Sequence, residues 1–560
     1  MSMSFDYVIA GGGSAGCALA ARLAEDKSVT VAVVEAGGRG RDLFVRMPAG
    51  NGFVFGNPRL DWGYESTPQP ALGGRTIYYP RGKALGGSSI VNGMIYMRGV
   101  RADYDGWRQA GLTGWGYDDL LPYFRRSEAS RDRVDGFHGR HGPLKTEPAA
   151  NFGVLDQAFI DAAVAAGHEH LDDFNGAGRT GVARVDSTVS KGVRQSSAIA
   201  YLRRKQSNIA LLTHRQVAKI RIADGRASAI ETICGQVISA RREIVICQGA
   251  FGTPQLLMLS GIGPAAHLHE HGIEPVIDLP GVGEHLADHV DVSMQYGSDF
   301  AELSHARHQR LDRAAMLMGR WLVNGSGPGG GSLFSVVLFN AAGDRELPET
   351  EVFMTPMIID ENLGNGGDEH TPLLQRLGRR LLVRGRKVAK PGVQIDINLE
   401  RPKSLGTVRL RDADPASHPA INPNFLSSPQ DIDELVTAVK DMRTVMCQPQ
   451  IARYVTEEIG PWAGVESDEE IVAAIRQTAY TGHHPCSTAR MGADNDAGAV
   501  LDCELRVRGM AGLRVCDAAA MPGQITGNLY ATVIAMAEKA ADMITGKPPL
   551  RDRDDTEGAV

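Results

Sequence analysis

The sequence has no CxxC pair and no cysteine-histidine cluster at metal-ligand spacing. Its seven cysteines, an odd number, stand apart at Cys17, Cys234, Cys247, Cys447, Cys486, Cys503 and Cys516. A disulfide framework and a structural zinc module are thereby excluded, no metal site is expected, and a reducing, cytoplasmic setting is the expectation. No apolar run reaches the roughly 18 residues that a membrane-crossing helix needs. The opening MSMSFDYVIAGGGSAG has neither the charged n-region nor the cleavage site of a secretion signal, so export is not expected. One-sided charge is also missing: 59 Lys and Arg against 66 Asp and Glu leave −7, with both signs interspersed. Such a surface offers no broad cationic field for nucleic acid and no acidic tail for a basic partner. Residues 547–560, KPPLRDRDDTEGAV, lack a face to bury and read as a loose tail.

What is present is length and glycine. At 560 residues, with 66 glycines, the chain is too long for one compact core, and two domains able to bury a large cofactor are expected. Residues 5–10 form a β-rich run, followed by GGGSAG at 11–16 and an alanine-leucine helix pattern over 17–24. In that strand-turn-helix order Gly11 permits the tight turn and Gly13 lets the backbone approach a pyrophosphate. Gly16 lets helix and strand pack closely, leaving the helix N-terminus facing phosphate. The continuously apolar run 29–34 reads as a buried parallel strand. It ends at Glu35, placed to take both hydroxyls of an adenosine ribose, a charge-assisted contact worth about 1.5–3 kcal/mol.

The fingerprint presents the same loop to NAD and to FAD, so other segments must separate them. Near position 80 runs YPRGKALGGSSIVNGMIYMRG, whose Gly86, Gly87, Ser88 and Ser89 can wrap a second polar surface, as a large flat cofactor would need. At the far end a brief strand, 513–515, runs into Asp517, then MPGQITGN, then a helix pattern over 529–544. Asp517 at a strand end suits hydroxyls on a ribityl chain. Asn528 is expected at a helix N-terminus, where it caps the helix or lends its dipole to an anionic reduced flavin.

These segments together resemble the glucose-methanol-choline family of flavoproteins, and the resemblance spans nearly the whole chain. It is carried by GKALGGSSIVN at 82–92, GAFGTPQLLMLSGIGP at 249–264, PGVGEHLADH at 280–289 and RPKSLGTVRL at 401–410. HPCSTARMG at 484–492 and CDAAAMPGQITGN at 516–528 complete it. The resemblance implies an α/β fold: a Rossmann-like FAD-binding domain from 1–155, 196–290 and 476–546, and a substrate domain from 156–195 and 291–475 built on an antiparallel sheet. The alternation in VQIDINLERP, then TVRL, has the period of half-buried strands that would floor the substrate pocket.

The activity implied is oxidation of the CH–OH group of a small-molecule alcohol, with oxygen or a quinone as electron acceptor. A non-redox flavoprotein lyase is the alternative. The family's catalytic base falls on His484, whose backbone Pro485 restricts, with His483 as the competing histidine. The second polar position matches Asn528; an amide is no base at neutral pH and would hold the alkoxide oxygen. FAD contacts are implied at Ser14, Ala15, Glu35, Ala36, Asn92, Gly93, Met94, Val217, Asp517 and Ala518 besides Gly11, Gly13, Gly16, Gly86 and Gly87. Val91 stands where some members carry a flavin-linked histidine, so non-covalent FAD is expected. Cys486, near His484, reads as an inert buried thiol more than a reactive one. Residues 371–390, TPLLQRLGRRLLVRGRKVAK, hold no acid and place leucines and arginines at helical spacing, an expected basic amphipathic helix that either packs over the substrate pocket with its arginines solvated or makes weak contact with an anionic membrane surface or an acidic electron acceptor.

Overall fold

A computed structural model of the chain describes residues 3–203, 206–309, 311–341, 347–359 and 391–551. The basic stretch 371–390 lies outside them. Two sheets organise the rest. The first has seven strands in the order Ile209–Leu212, Val31–Val34, Met3–Ala10, Val237–Ile246, Arg226–Thr232 and Val217–Ala223, with Leu513–Val515 paired to Val237–Ile246. Met3–Ala10 runs parallel to both of its neighbours, as buried Val-, Ile- and Ala-rich strands do when helices cover both faces. The ten-residue strand Val237–Ile246 exceeds either partner on its outer edge. Its start pairs antiparallel with Arg226–Thr232, and its end pairs parallel with Leu513–Val515. The last quarter of the chain is thereby returned to the sheet that holds the first strand.

Helix Ser14–Leu23 packs on this sheet beside helix Tyr530–Thr545, whose residues from Ala531 to Asp542 are all buried. Burying charge in that helix is tolerable because its charges are matched. Glu538 accepts Arg22 Nε at 2.7 Å, Arg126 Nε at 2.6 Å and the Tyr201 hydroxyl at 2.6 Å.

The second sheet has six antiparallel strands ordered Tyr480–Thr481, Val290–Gly297, Gly392–Leu399, Thr350–Thr355, Val336–Asn340 and Gly181–Arg184. In Gly392–Leu399 the alternation is as read, but every residue is buried. Val393, Ile395, Ile397 and Leu399 enter a core with helices Val154–Ala165, Pro429–Met446 and Asp468–Thr478. Gln394, Asp396 and Asn398 turn to the opposite face, which is also covered, and Asp396 accepts bonds from Ser293 and Gln394. The expectation of half-buried strands is corrected: both faces of this strand are covered. TVRL also leaves this sheet, since Thr407–Arg409 pairs with Ala420–Asn422 in a separate two-stranded ribbon. Strand Tyr480–Thr481 edges the second sheet, although its position in the chain had placed it with the FAD-binding segments. The start of the tail is docked, not loose: Leu550 packs on the first core and its amide donates to the Tyr123 hydroxyl at 3.2 Å. Among the described residues no helix is long and apolar enough to cross a membrane.

Candidate active site

The glycine loop is shaped by close approaches that only hydrogen tolerates. A Cβ on Gly11, whose φ is +106°, would lie 2.4 Å from the Cys247 carbonyl oxygen, and one on Gly16 would lie 2.1 Å from the Gly11 carbonyl oxygen. Gly13 precedes helix Ser14–Leu23 as a cap without a side-chain bond, and no acid stands in the first turn. The helix N-terminus therefore keeps its amides of Ser14, Ala15 and Gly16 for an anion, and the cradle fits a pyrophosphate. Glu35 closes the loop from below: Oε2 accepts the Gly12 amide at 3.0 Å and Oε1 the Gly37 amide at 2.7 Å. Burial raises its pKa while those amides pull it down. Ala36 follows, half-buried, at the mouth of the same turn. Val217 opens the strand Val217–Ala223 just after Arg215, whose amide bonds the Glu35 carbonyl, so it borders this end while being buried in the core.

The second glycine-rich stretch lies directly on the first. Gly86 donates its amide to the Gly12 carbonyl at 2.8 Å, and a Cβ on Gly87 would sit 2.6 Å from Gly13 Cα. Beyond it, Val91 is buried. Asn92 is fixed by Arg194, whose Nη1 donates to both its carbonyl and its Oδ1 at 2.7 Å. Gly93 lies under the Phe334 ring, and Met94 holds a left-handed φ of 64°. From the far end, Asp517 spends its carboxylate inside the protein on Gly249 N, Thr253 Oγ1 and Ala519 N. That internal engagement, with the side chain buried, makes it a clamp on the turn carrying Ala518.

At the other end of the arrangement His484 and Asn528 meet. Asn528 Nδ2 lies 3.0 Å from His484 Nε2, and Asn528 Oδ1 is buried without a partner. The helix that follows is Tyr530–Thr545, capped by Leu529 with no side-chain bond, so Asn528 is not its cap as expected. His484 Nδ1 lies 2.9 Å from His289 Nδ1, with the two rings edge to face at 5.0 Å between centroids. Burial, then His289, His483 and Arg81, push the His484 pKa well below its ordinary value, leaving a neutral imidazole. His483 points elsewhere. Its φ is +66°, its Nδ1 is buried without a partner, and Arg81 holds its carbonyl at 2.8 Å. Burial, with Arg81 adding to it, takes its pKa to about 3. The Cys486 thiol donates to Gln524 Oε1 at 2.7 Å, and burial pushes its pKa to about 12, which makes it a structural thiol.

The sequence reading missed Asp288, His289 and Glu400, which surround this corner. The first two sit in PGVGEHLADH, a stretch singled out for resemblance and never examined residue by residue.

A family model described as GMC oxidoreductase matches residues 5–291, and its C-terminal counterpart matches residues 402–537. The chain is 38% identical to the oxygen-dependent choline dehydrogenase of Pseudomonas fluorescens (strain Pf0-1), over 98% of this chain and 95% of that protein. It is also 38% identical to that of Rhizobium etli (strain CIAT 652), over 98% and 97%. Among solved structures, pyridoxine 4-oxidase from Mesorbium loti superposes with a TM-score of 0.84 at 29% identity, covering 97% of this chain and 100% of that one. A formate oxidase variant of Aspergillus oryzae RIB40 gives 0.86 at 27%, covering 97% and 98%. These relatives give no support to the lyase alternative.

Proposed function

Since the chain belongs to the GMC oxidoreductase family and is an FAD-dependent oxidoreductase of CH–OH donors, we propose that His484 removes the hydroxyl proton while Asn528 holds the oxygen. The observation that carries this is the 3.0 Å contact between Asn528 Nδ2 and His484 Nε2, with His484 Nδ1 already taken by His289. An alcohol entering this contact gives its O–H to Nε2 and receives the amide N–H, so the oxygen is held as its proton leaves. A neutral imidazole is required for that step, and the burial of the corner supplies it. FAD, when bound, supplies the acceptor for the hydride that leaves the same carbon. Gly13, Ser14, Ala15 and Gly16 would hold its pyrophosphate, Glu35 its adenosine ribose, and Asn92, Gly93, Met94 and Ala518 its flavin end.

The flavin is held non-covalently, because Val91 offers no nucleophile where the family's histidyl link forms. Oxygen is the acceptor to test first, since the relatives reported are oxygen-dependent, with a quinone analogue second. Seven unpaired cysteines fit a cytoplasmic setting. The test is an anaerobic panel of choline, pyridoxine, benzyl alcohol and glycerol, following loss of the flavin's visible band, then reoxidation by oxygen or by a quinone analogue. Bleaching by at least one alcohol is expected, and yellow supernatant after acid precipitation. A flavin that no alcohol reduces would remove the reading.

A further inference from the structure

We propose that the adjacent residues Asp288 and His289 are positioning residues for His484: Asp288 holds its backbone, and His289 selects the tautomer that leaves a lone pair on Nε2. The inference rests on His484 being the base.

The donors and acceptors form a chain with one consistent direction. His289 Nε2 lies 3.1 Å from the Ile525 carbonyl oxygen, which can only accept, so Nε2 carries the hydrogen. Burial lowers the His289 pKa to about 3, so the ring is neutral and its Nδ1 is bare. A bare Nδ1 at 2.9 Å from His484 Nδ1 requires that His484 Nδ1 be the donor. His484 Nε2 is then the bare nitrogen, consistent with the amide hydrogen that Asn528 Nδ2 presents to it. The form of the base is thus set by a main-chain carbonyl in the MPGQITGN turn and relayed through one buried imidazole. Meanwhile Asp288 Oδ1 accepts the His484 amide at 2.8 Å, and its Oδ2 accepts Thr481 Oγ1 at 2.6 Å. The remaining ionisable groups facing this corner do not upset it. Glu400 Oε1 lies 3.6 Å from His289 Nδ1, beyond hydrogen-bond reach, its Oε2 accepts the Gly527 amide, and burial with Glu351 holds its pKa above the ordinary carboxylate value. His483 is neutral, and Arg81 is committed to the His483 carbonyl.

A merely structural histidine would be replaceable by any side chain of its size; a tautomer selector needs an acceptor at Nδ1. His289→Asn supplies one in Oδ1, whereas His289→Leu has nearly the shape of Asn without it, and His289→Ala is the smaller truncation. Each flavin-loaded variant is mixed anaerobically with the panel alcohol that bleaches the wild type fastest, and the limiting reduction rate and apparent substrate Kd are read across pH 6–10. The 15N-histidine spectrum of each, with His484 assigned by its loss in His484→Gln, reports the tautomer without any substrate. We expect the Leu and Ala variants to lose about 10²-fold in limiting rate with Kd little changed. The Asn variant should stay within about 10-fold of wild type. The wild-type His484 signal should be that of the Nδ1–H form and become mixed in the Leu variant. Equal rates in the Asn and Leu variants, or a His484 signal of the Nε2–H form in the wild type, would overturn the proposal. His484→Ala separates the two readings: if it retains the rate, the base assignment fails, whereas its loss beside an unaffected His289→Leu sinks only the relay.

Discussion

The histidines beside Asn528 and the single His138 are pushed in opposite directions. In the corner that brings His484 to Asn528, His289 and His484 touch each other, a main-chain carbonyl and an amide, and both of them and the neighbouring His483 are driven below the ordinary histidine value. Some distance away in the chain, His138 is buried like His289, but both its nitrogens rest on carboxylates. Nδ1 lies 3.1 Å from each Glu128 oxygen, and Nε2 lies 2.9 Å from Asp173 Oδ2. Burial works against its charge too, yet Asp173 and Glu128 outweigh it and raise its pKa to about 9. With both nitrogens donating, His138 is an imidazolium, the centre of a chain that runs from Arg98 through Glu128 to Asp173. Asp135, His138 and Asp173 do bring ligand atoms within 4.8 Å of one another, but an imidazolium has no lone pair for a cation. Burial is common to both places; the partner decides whether the ring is a base or an ion-pair hub.

The largest expected effect tests the neutral group directly. His484→Ala should lose about 10²- to 10⁴-fold in the rate of flavin reduction while keeping its flavin, measured by anaerobic stopped-flow absorbance. A loss confined to His483→Ala would move the base by one residue. Next, the comparison can be broken on purpose. Asn528→Asp places a carboxylate where an amide lies 3.0 Å from His484 Nε2, giving that ring the kind of partner His138 has. Held as an imidazolium at neutral pH, His484 could no longer accept a proton. The variant should be slower than Asn528→Ala, by about 10-fold or more, although it is the smaller change in shape. Asn528→Ala itself should lose about 10²-fold, the lower end of what one oxygen-holding donor is worth. If the Asp variant outruns the Ala variant, partner charge does not control this corner.

How much of this was readable beforehand divides along the same line between local and distant cause. The strand-turn-helix-strand unit carrying Gly11, Gly13, Gly16 and Glu35 was legible because its parts are neighbours in sequence with a clear periodicity. His484 and Asn528 were legible only through resemblance, since nothing local distinguishes either from an ordinary histidine or cap. Their segments are joined by the amides of Ser487, Ala489 and Met491 donating to the Ala518, Ala519 and Ala520 carbonyls, which no local pattern states. His289 was missed for the same reason, because its partners come from residues 484 and 525. For Asp517 the strand end alone was legible, whereas the donors its carboxylate accepts come from Gly249 and Thr253, far off in sequence.

The smallest expected effect concerns the charged histidine and is one of stability. A ring whose folded pKa is about 9 against an unfolded value near 6.5 binds its proton more tightly when folded. Its contribution is therefore fully present below about pH 6.5 and is lost as pH rises through about 9. His138→Gln keeps a donor for one carboxylate but cannot titrate. Wild type should melt a few degrees higher than this variant at pH 6, and the gap should close by pH 10, in thermal melts followed by circular dichroism. Glu128→Gln should behave oppositely in kind, lowering the melting temperature at every pH because it leaves Arg98 buried without its counter-charge. A gap between wild type and His138→Gln that does not vary between pH 6 and pH 10 would mean the ring is neutral there as well. The contrast between the two histidine groups would then rest on position alone.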